Sequence, residues 1–155
     1  MEKEIKATVH HVLSYSYSVF WLGLILGMLV DLAYPIRIIP KAITEPIGLA
    51  LMILAPLLIF WAQSTSYKLS LKKEKLTKED FGRGPYKLTG SPTHLGLMFL
   101  SLGFGVLINS IFVIIFTIIS YFVSRHSFVK EEEKMLSERY GEEYLNYKKS
   151  VNTWL

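Results

Sequence analysis

Cysteine is absent from the chain, which excludes disulfides and thiolate-bound metal from the outset. Histidine is nearly as scarce. His10, His11 and His126 are scattered with no metal-ligand spacing among them, so no metal is expected. No Ser-His-Asp grouping can be drawn, and neither an internal repeat nor a low-complexity segment occurs. Charge is missing over long stretches: three runs of the 155 residues are uncharged or nearly so at membrane-spanning scale. Basic charge is present, at a formal +4, but no nucleic-acid-reading module accompanies it. In an apolar chain such residues set orientation and meet anionic lipid, so membrane lipids are the expected partners and nucleic acid is not.

What remains is apolar. Hydrophobic residues make up 51% of the chain, and the mean hydropathy is +0.34. The first run starts near Val12, exceeds the core of a signal peptide and has no small-x-small cleavage site after it, so it reads as a span. The expected fold is all-α: a single integral membrane domain over 1–155, multi-pass, with spans at roughly 12–33, 45–67, 92–108 and 110–125. Pro46 suits the first turn of the second span, and Pro56 should kink its middle.

Leu95 to Val123 is 29 residues without a charge. As one helix it would measure about 44 Å against a hydrocarbon core of about 30 Å. The "LINSIF" at its centre, with Asn109 and Ser110, instead predicts two short helices in a hairpin. Loop charge agrees. With four spans, fifteen Lys and Arg residues lie in the N-terminus, the 68–91 loop and the tail counted from Arg125, and only Arg37 and Lys41 on the other side. That asymmetry places the fifteen in the cytoplasm. Asp31 and Glu45 should meet Arg37 and Lys41 on the far side.

Past Val123 the chain reads "SRHSFVKEEEKMLSERYGEEYLNYKKSVNTWL". At about 100° per residue from Val129, Leu136 and Tyr140 form an apolar stripe, which predicts a cytoplasmic amphipathic helix stopped at Gly141. Glu132 and Glu133 flank that stripe, while Glu131 and Glu138 point to the solvated face. Carboxylates beside a buried stripe need partners, which Lys130 and Lys134 could supply.

The polar loop ends in "GRGPYKLTGSPTHLG", residues 82–96, with four glycines and two prolines. Ser91 and Pro92 make a good helix start, Ser capping and Pro at the first position. Gly82, Arg83 and Gly84 are not a dinucleotide fingerprint, since no strand precedes them and a third glycine is missing. Bare glycine backbone would let a ligand approach N–H groups, although a simple turn needs the same residues.

This stretch, then an apolar hairpin, then "EEEKMLSERYGEEYLNYKKSV" resembles the integral-membrane methyltransferases of the isoprenylcysteine carboxyl methyltransferase and phospholipid N-methyltransferase type. Their pattern runs G-x-G-P-Y, R-H-P-x-Y-x-G, a hairpin, E-E-x-x-L-x-x-x-F/Y-G-x-x-Y-x-x-Y, and a tail with Arg and a nearby Pro. The resemblance covers Gly82 to Val151. Gly82, Gly84, Pro85 and Tyr86 match the glycine turn, and Pro92 and Gly96 match the end of the first block. Glu132 and Glu133 match the acidic pair, and Leu136, Tyr140, Gly141, Tyr144 and Tyr147 the remainder. The resemblance implies that Gly82, Gly84, Pro85 and Tyr86 of the turn, Ser91, Pro92, His94 and Gly96 after it, the Glu132–Glu133 pair and Tyr144 hold S-adenosylmethionine. It implies methyl transfer to a lipid-soluble acceptor: a prenylcysteine carboxylate, a phospholipid amine, another isoprenoid or a hydrophobic thiol.

The chain departs from the pattern where Gly90 and Ser91 replace Arg-His, where His94 replaces the Tyr after Pro, and where Thr153 stands for the terminal Arg without a closing Pro. Three other readings stay open: a nicotinamide-dependent reductase of related membrane fold, a non-catalytic protein that kept the fold, and a purely structural bundle. If His94 supplies the missing imidazole from the next helical turn, His94→Ala weakens S-adenosylmethionine binding, read by isothermal titration, far more than Ser91→Ala. Equal losses would remove that role from His94.

Overall fold

The uncharged run breaks where Asn109 and Ser110 interrupt it. Asn109 adopts φ +56°, a left-handed conformation that Asn tolerates better than most side chains. Its Nδ2 donates to the Ile39 carbonyl at 2.6 Å, and Ser110 Oγ accepts from Val113 N at 3.2 Å, capping the helix that follows. Pro92–Leu107 and Ile111–Ser124 are therefore two helices in an antiparallel hairpin, not one long helix.

The computed structural model describes the backbone of residues 2–37, 39–70 and 77–151, with side chains from Tyr15 onward except at 16, 69, 70, 78, 81, 128, 129 and 132. Among the described residues the chain is all-helical, without a strand. Its elements are α1 (Glu2–Ala33), α2 (Lys41–Ser70), α3 (Lys78–Phe81), a 3₁₀ turn (Gly84–Lys87), α4 (Pro92–Leu107), α5 (Ile111–Ser124), a π turn (Arg125–Val129), α6 (Lys130–Tyr140) and α7 (Glu142–Ser150). Pro46 is not in the first turn of α2, as its sequence position suggested. The Pro40 carbonyl accepts from Ile43 N and Thr44 N, so the helix starts earlier and Pro46 falls inside it. The helix beyond Val123 forms as expected, but through a wider π turn before α6, and Gly141 ends α6 at φ +60°.

Packing follows from small residues. α1 lies on α5 and α2 on α4, with the α4–α5 hairpin between them. On α1, Gly23 and Gly27 form a G-x-x-x-G step facing Ser120 and Val113 of α5. A Cβ at Gly27 would sit 2.8 Å from Val113 Cα, and one at Gly23 would overlap Ser120 Oγ. The α5 face turned inward is Val113, Thr117, Ser120 and Ser124, all buried. α2 meets α4 in the same way. A Cβ at Gly48 would stand 2.6 Å from Leu107 N, and one at Gly103 2.8 Å from Leu51 Cβ, while Ala55 and Ala62 are fully covered.

The large apolar side chains point outward instead. Trp21, Leu29, Ile53, Leu57, Phe60, Ile119 and Phe122 are all exposed. Among the described residues one helix, α2, is long and apolar enough to cross a membrane, over Lys41–Lys68, and only 17% of its apolar window is buried. Shorter apolar helices cover Tyr17–Ala33, Pro92–Leu107 and Ile111–Ser127.

At the end of the bundle that carries the hairpin turn, Arg37 forms a two-pronged pair with Asp31 at 2.7 and 2.8 Å. The Asp31 hydrogen bond raises the Arg37 guanidinium above its usual range, with burial opposing. This expected partnership forms. Glu45 and Lys41 make no ion pair among the described residues, both being exposed at the start of α2 where water screens them.

Backbone contact at Gly27 sets the first test. Gly27→Val drives Cβ into the α5 backbone and should cost about 1–3 kcal/mol of unfolding free energy in detergent. Gly90→Ala, with nothing within 4 Å of the added carbon, should stay within about 0.5 kcal/mol. Equal thermal shifts for the two would mean that α1 does not meet α5 at Gly27.

Candidate functional site

The end of the bundle opposite Asp31 is where the glycine turn and the C-terminal helices meet. The approach to the turn is fixed by Asp80, which is fully buried. Its Oδ2 accepts from Thr77 N at 3.0 Å and from Thr77 Oγ1 at 3.1 Å, so the carboxylate reaches back over the start of α3 as in one half of a capping box. Its Oδ1 faces Arg83 Nη2 at 3.2 Å, which ties the residue between the two glycines to the same carboxylate.

Gly84 then turns the chain at φ +59°. A Cβ there would lie 2.7 Å from Thr65 Oγ1 and 3.3 Å from Trp61 Nε1, so the turn rests directly on the last turns of α2. Both the backbone conformation and the space demand glycine. Pro85 is buried at the start of the 3₁₀ turn, where its missing N–H costs nothing. Tyr86 is held from two sides. Its hydroxyl meets Ser66 Oγ of α2 at 2.6 Å, and its carbonyl accepts from the Tyr147 hydroxyl of α7 at 2.7 Å.

α7 carries the other half. Tyr144 and Tyr147 are both buried, with ring centroids 5.9 Å apart. Burial pushes the Tyr147 phenol up, and Tyr86 adds to the shift, so its hydroxyl keeps the proton that it donates. The next residue, Lys148, reaches Glu133 Oε2 of α6 at 2.8 Å. Glu133 is half-buried and Glu131 and Glu138 are exposed, as the helical wheel requires. The partner of Glu133 is Lys148, however, and not Lys130 or Lys134. Lys130 Nζ instead lies 3.3 Å from His126 Nδ1. Glu132 lies on α6 with its side chain outside the described residues.

The remaining candidates separate. Ser91 occupies the capping position of α4 but makes no side-chain cap, because its ψ of 63° departs from the usual extended geometry. Its N–H donates to Thr89 Oγ1 at 3.2 Å. Pro92 begins α4 as expected and is buried. His94 is buried one turn further into α4. Gly96 faces Ile59 and the Ala55 carbonyl of α2, so it serves the contact between helices. Gly82 is half-buried in the turn after α3. Thus Tyr86 bonds to Tyr147 and Glu133 to Lys148 on α7, which also carries Tyr144, whereas Gly84 is seated on α2 and Gly96 lies between α4 and α2.

Ser66, Thr65, Tyr147 and Lys148 belong to this gathering although sequence reasoning assigned them no part in a site. The signal for Tyr147 was present, since Tyr144 and Tyr147 are three apart and share a helix face. A separate apolar cleft of about 350 Å³ lies inside the bundle, lined by Tyr17, Trp21 and Met28 of α1, Met52 of α2, and Leu97 and Phe104 of α4. Ser101 is a rare polar group in its wall.

No family model, curated protein or solved structure with which the chain was compared matches it.

Chemically, the gathering offers a carboxylate already holding an ammonium group at 2.8 Å and a backbone turn fixed from two sides. The apolar cleft lies within the same bundle. Gly84→Ala forces a side chain into the left-handed region and against Thr65, and should cost about 1–3 kcal/mol in chemical denaturation. Lys87→Ala, exposed on the same turn, should cost under about 0.5 kcal/mol. Matching losses would show that the turn is not seated on α2.

Proposed function

We propose that the chain is an integral-membrane methyltransferase that takes a methyl group from S-adenosylmethionine and passes it to a lipid-soluble acceptor. The observation that carries this reading is the meeting of two distant segments. The glycine turn and the α6–α7 arm, which together hold the resemblance, come together at one end of the bundle through Tyr147 and Tyr86. In this reading α1, α2, α4 and α5 all cross the bilayer, and the N-terminus, the 68–91 loop and the tail are cytoplasmic. The outward-facing Leu, Ile, Phe and Trp side chains support it, because such a surface suits hydrocarbon and not water. Small residues between helices are the packing expected where lipid surrounds the bundle.

The residues present fit the cofactor. Glu133 takes an ammonium group from Lys148, and the cofactor's amino group has the same chemistry. Glu132, beside it in sequence, would add a second carboxylate for the ribose hydroxyls. Within the turn Pro85 has no N–H and the Tyr86 N–H donates to the Arg83 carbonyl, so the backbone donor the turn would offer to a carboxylate or an adenine edge is the Gly84 N–H. His94 would stand at the boundary between this end and the apolar bundle. When bound, S-adenosylmethionine supplies an activated methyl on a sulfonium, so the chain's own residues need only position the two partners and exclude water. The apolar cleft does the second task for a lipid-soluble acceptor. It lies between α1 and α4, with Met52 of α2 at its edge, and Leu97 in its wall is one helical turn from His94. An acceptor chain seated there would bring its polar end toward the cytoplasmic face.

Isothermal titration of S-adenosylmethionine into detergent-purified protein tests the reading. Binding is expected, and Glu133→Gln should weaken it by about tenfold or more through loss of a charged partner. Glu132→Gln should weaken it as well. Folded protein that binds no S-adenosylmethionine, or that is stabilised thermally by a nicotinamide dinucleotide instead, would overturn the proposal.

A further inference from the structure

Two neighbouring residues of α7 reach the two halves of the gathered site. Tyr147 donates to the Tyr86 carbonyl in the glycine turn, and Lys148 holds Glu133 on α6. Consecutive residues on a helix point about 100° apart, so one short helix can brace two walls that face different ways. The corner at Gly141 makes this possible. With φ +60° and ψ −134°, a conformation open to glycine and almost nothing else, it turns α7 back past α6.

We infer that Tyr147 and Lys148 are positioning residues: Tyr147 sets the backbone of the glycine turn, and Lys148 sets the direction of the Glu133 carboxylate. Neither touches the cofactor, and the role rests on the methyltransferase reading above. The turn's own backbone bonds are few, Tyr86 N to the Arg83 carbonyl and Leu88 N and Thr89 N to the Pro85 carbonyl. Its 3₁₀ segment spans four residues, too few to hold a fixed shape alone. What fixes Tyr86 is the bond to Ser66 at one end of its residue and the bond to Tyr147 at the other. Tyr147 is only 4% exposed and its bond to the Tyr86 carbonyl is part-buried, so losing the hydroxyl leaves that carbonyl to swing toward solvent for a donor, and the turn moves with it. Lys148 acts through a weaker restraint. Its pair with Glu133 is partly open to solvent, and its effect is on direction more than on stability.

Trp61 provides a readout that needs no ligand, because its indole sits against Gly84. In a background with Trp21 and Trp154 changed to Phe, the remaining emission reports the placement of the turn. Tyr147→Phe, which removes only the hydroxyl, should shift that emission and weaken S-adenosylmethionine binding about tenfold, with the thermal midpoint nearly unchanged. Lys148→Met should weaken binding without moving Trp61, and Lys148→Arg should restore it. Several results would overturn the inference. Wild-type binding that Tyr147→Phe leaves intact removes the positioning role while the cofactor reading stands. A binding loss that follows the fall in thermal midpoint, with Trp61 emission unmoved, makes Tyr147 a stability residue only. Tighter binding by Lys148→Met would mean that Lys148 competes for Glu133 and does not aim it. Wild-type protein that binds no S-adenosylmethionine removes the cofactor reading and this role together, whatever Trp61 does.

Discussion

Backbone-to-backbone approach is the constraint on which the rest depends. Where α1 crosses α5 and α2 crosses α4, glycine leaves no room for even one additional carbon. Dispersion between closely spaced atoms is small for each pair but large when summed along a helix. It is also the attraction that survives when the surroundings are as apolar as the side chains. The bundle therefore puts its small residues inside and its large ones outside, the reverse of a water-soluble core. Both ends of the hairpin follow from that arrangement. One end is locked by Asn109 on Ile39, and the other delivers α4 and the π turn beside the glycine loop.

Local chemistry was legible in the sequence. Asn109 and Ser110 announce the hairpin because each has a conformational reason to sit in a turn. The helical wheel places Glu133 beside the stripe and Glu131 and Glu138 in water, and Gly141 stops α6 as its residue type suggests. Relations between elements were not legible. Gly23 and Gly27 are four apart in plain view, but the sequence does not say which face of which helix they meet. The Lys148 partner of Glu133 lies fifteen residues away across the Gly141 corner, and a wheel drawn for one straight helix cannot turn that corner. Tyr147 and Tyr86 are 61 residues apart. Ser91 fails as a cap for a more local reason, since its ψ aims the side chain away from the first N–H groups.

Two kinds of polar group mark the two ends. At the hairpin end the charges are paired within a short loop, Asp31 with Arg37, and the pairing closes that end. At the other end the groups bridge separate elements: Ser66 of α2 to Tyr86, Tyr86 to Tyr147 of α7, and Lys148 to Glu133 of α6. A chain of contacts thus runs from an apolar helix to the terminal arm through one tyrosine.

The apolar cleft has an architectural consequence. Most of its wall comes from α1 and from the far face of α4, while the turn and the acidic helix draw on α2, α3, α6 and α7. Under the proposed reading, choosing an acceptor and gripping a donor are assigned to different stretches of the chain. Side chains such as Tyr17, Trp21 and Met28 can change what enters the bundle without disturbing Tyr86 or Glu133. The N-terminal helix is in that sense an exchangeable jaw on a fixed handle.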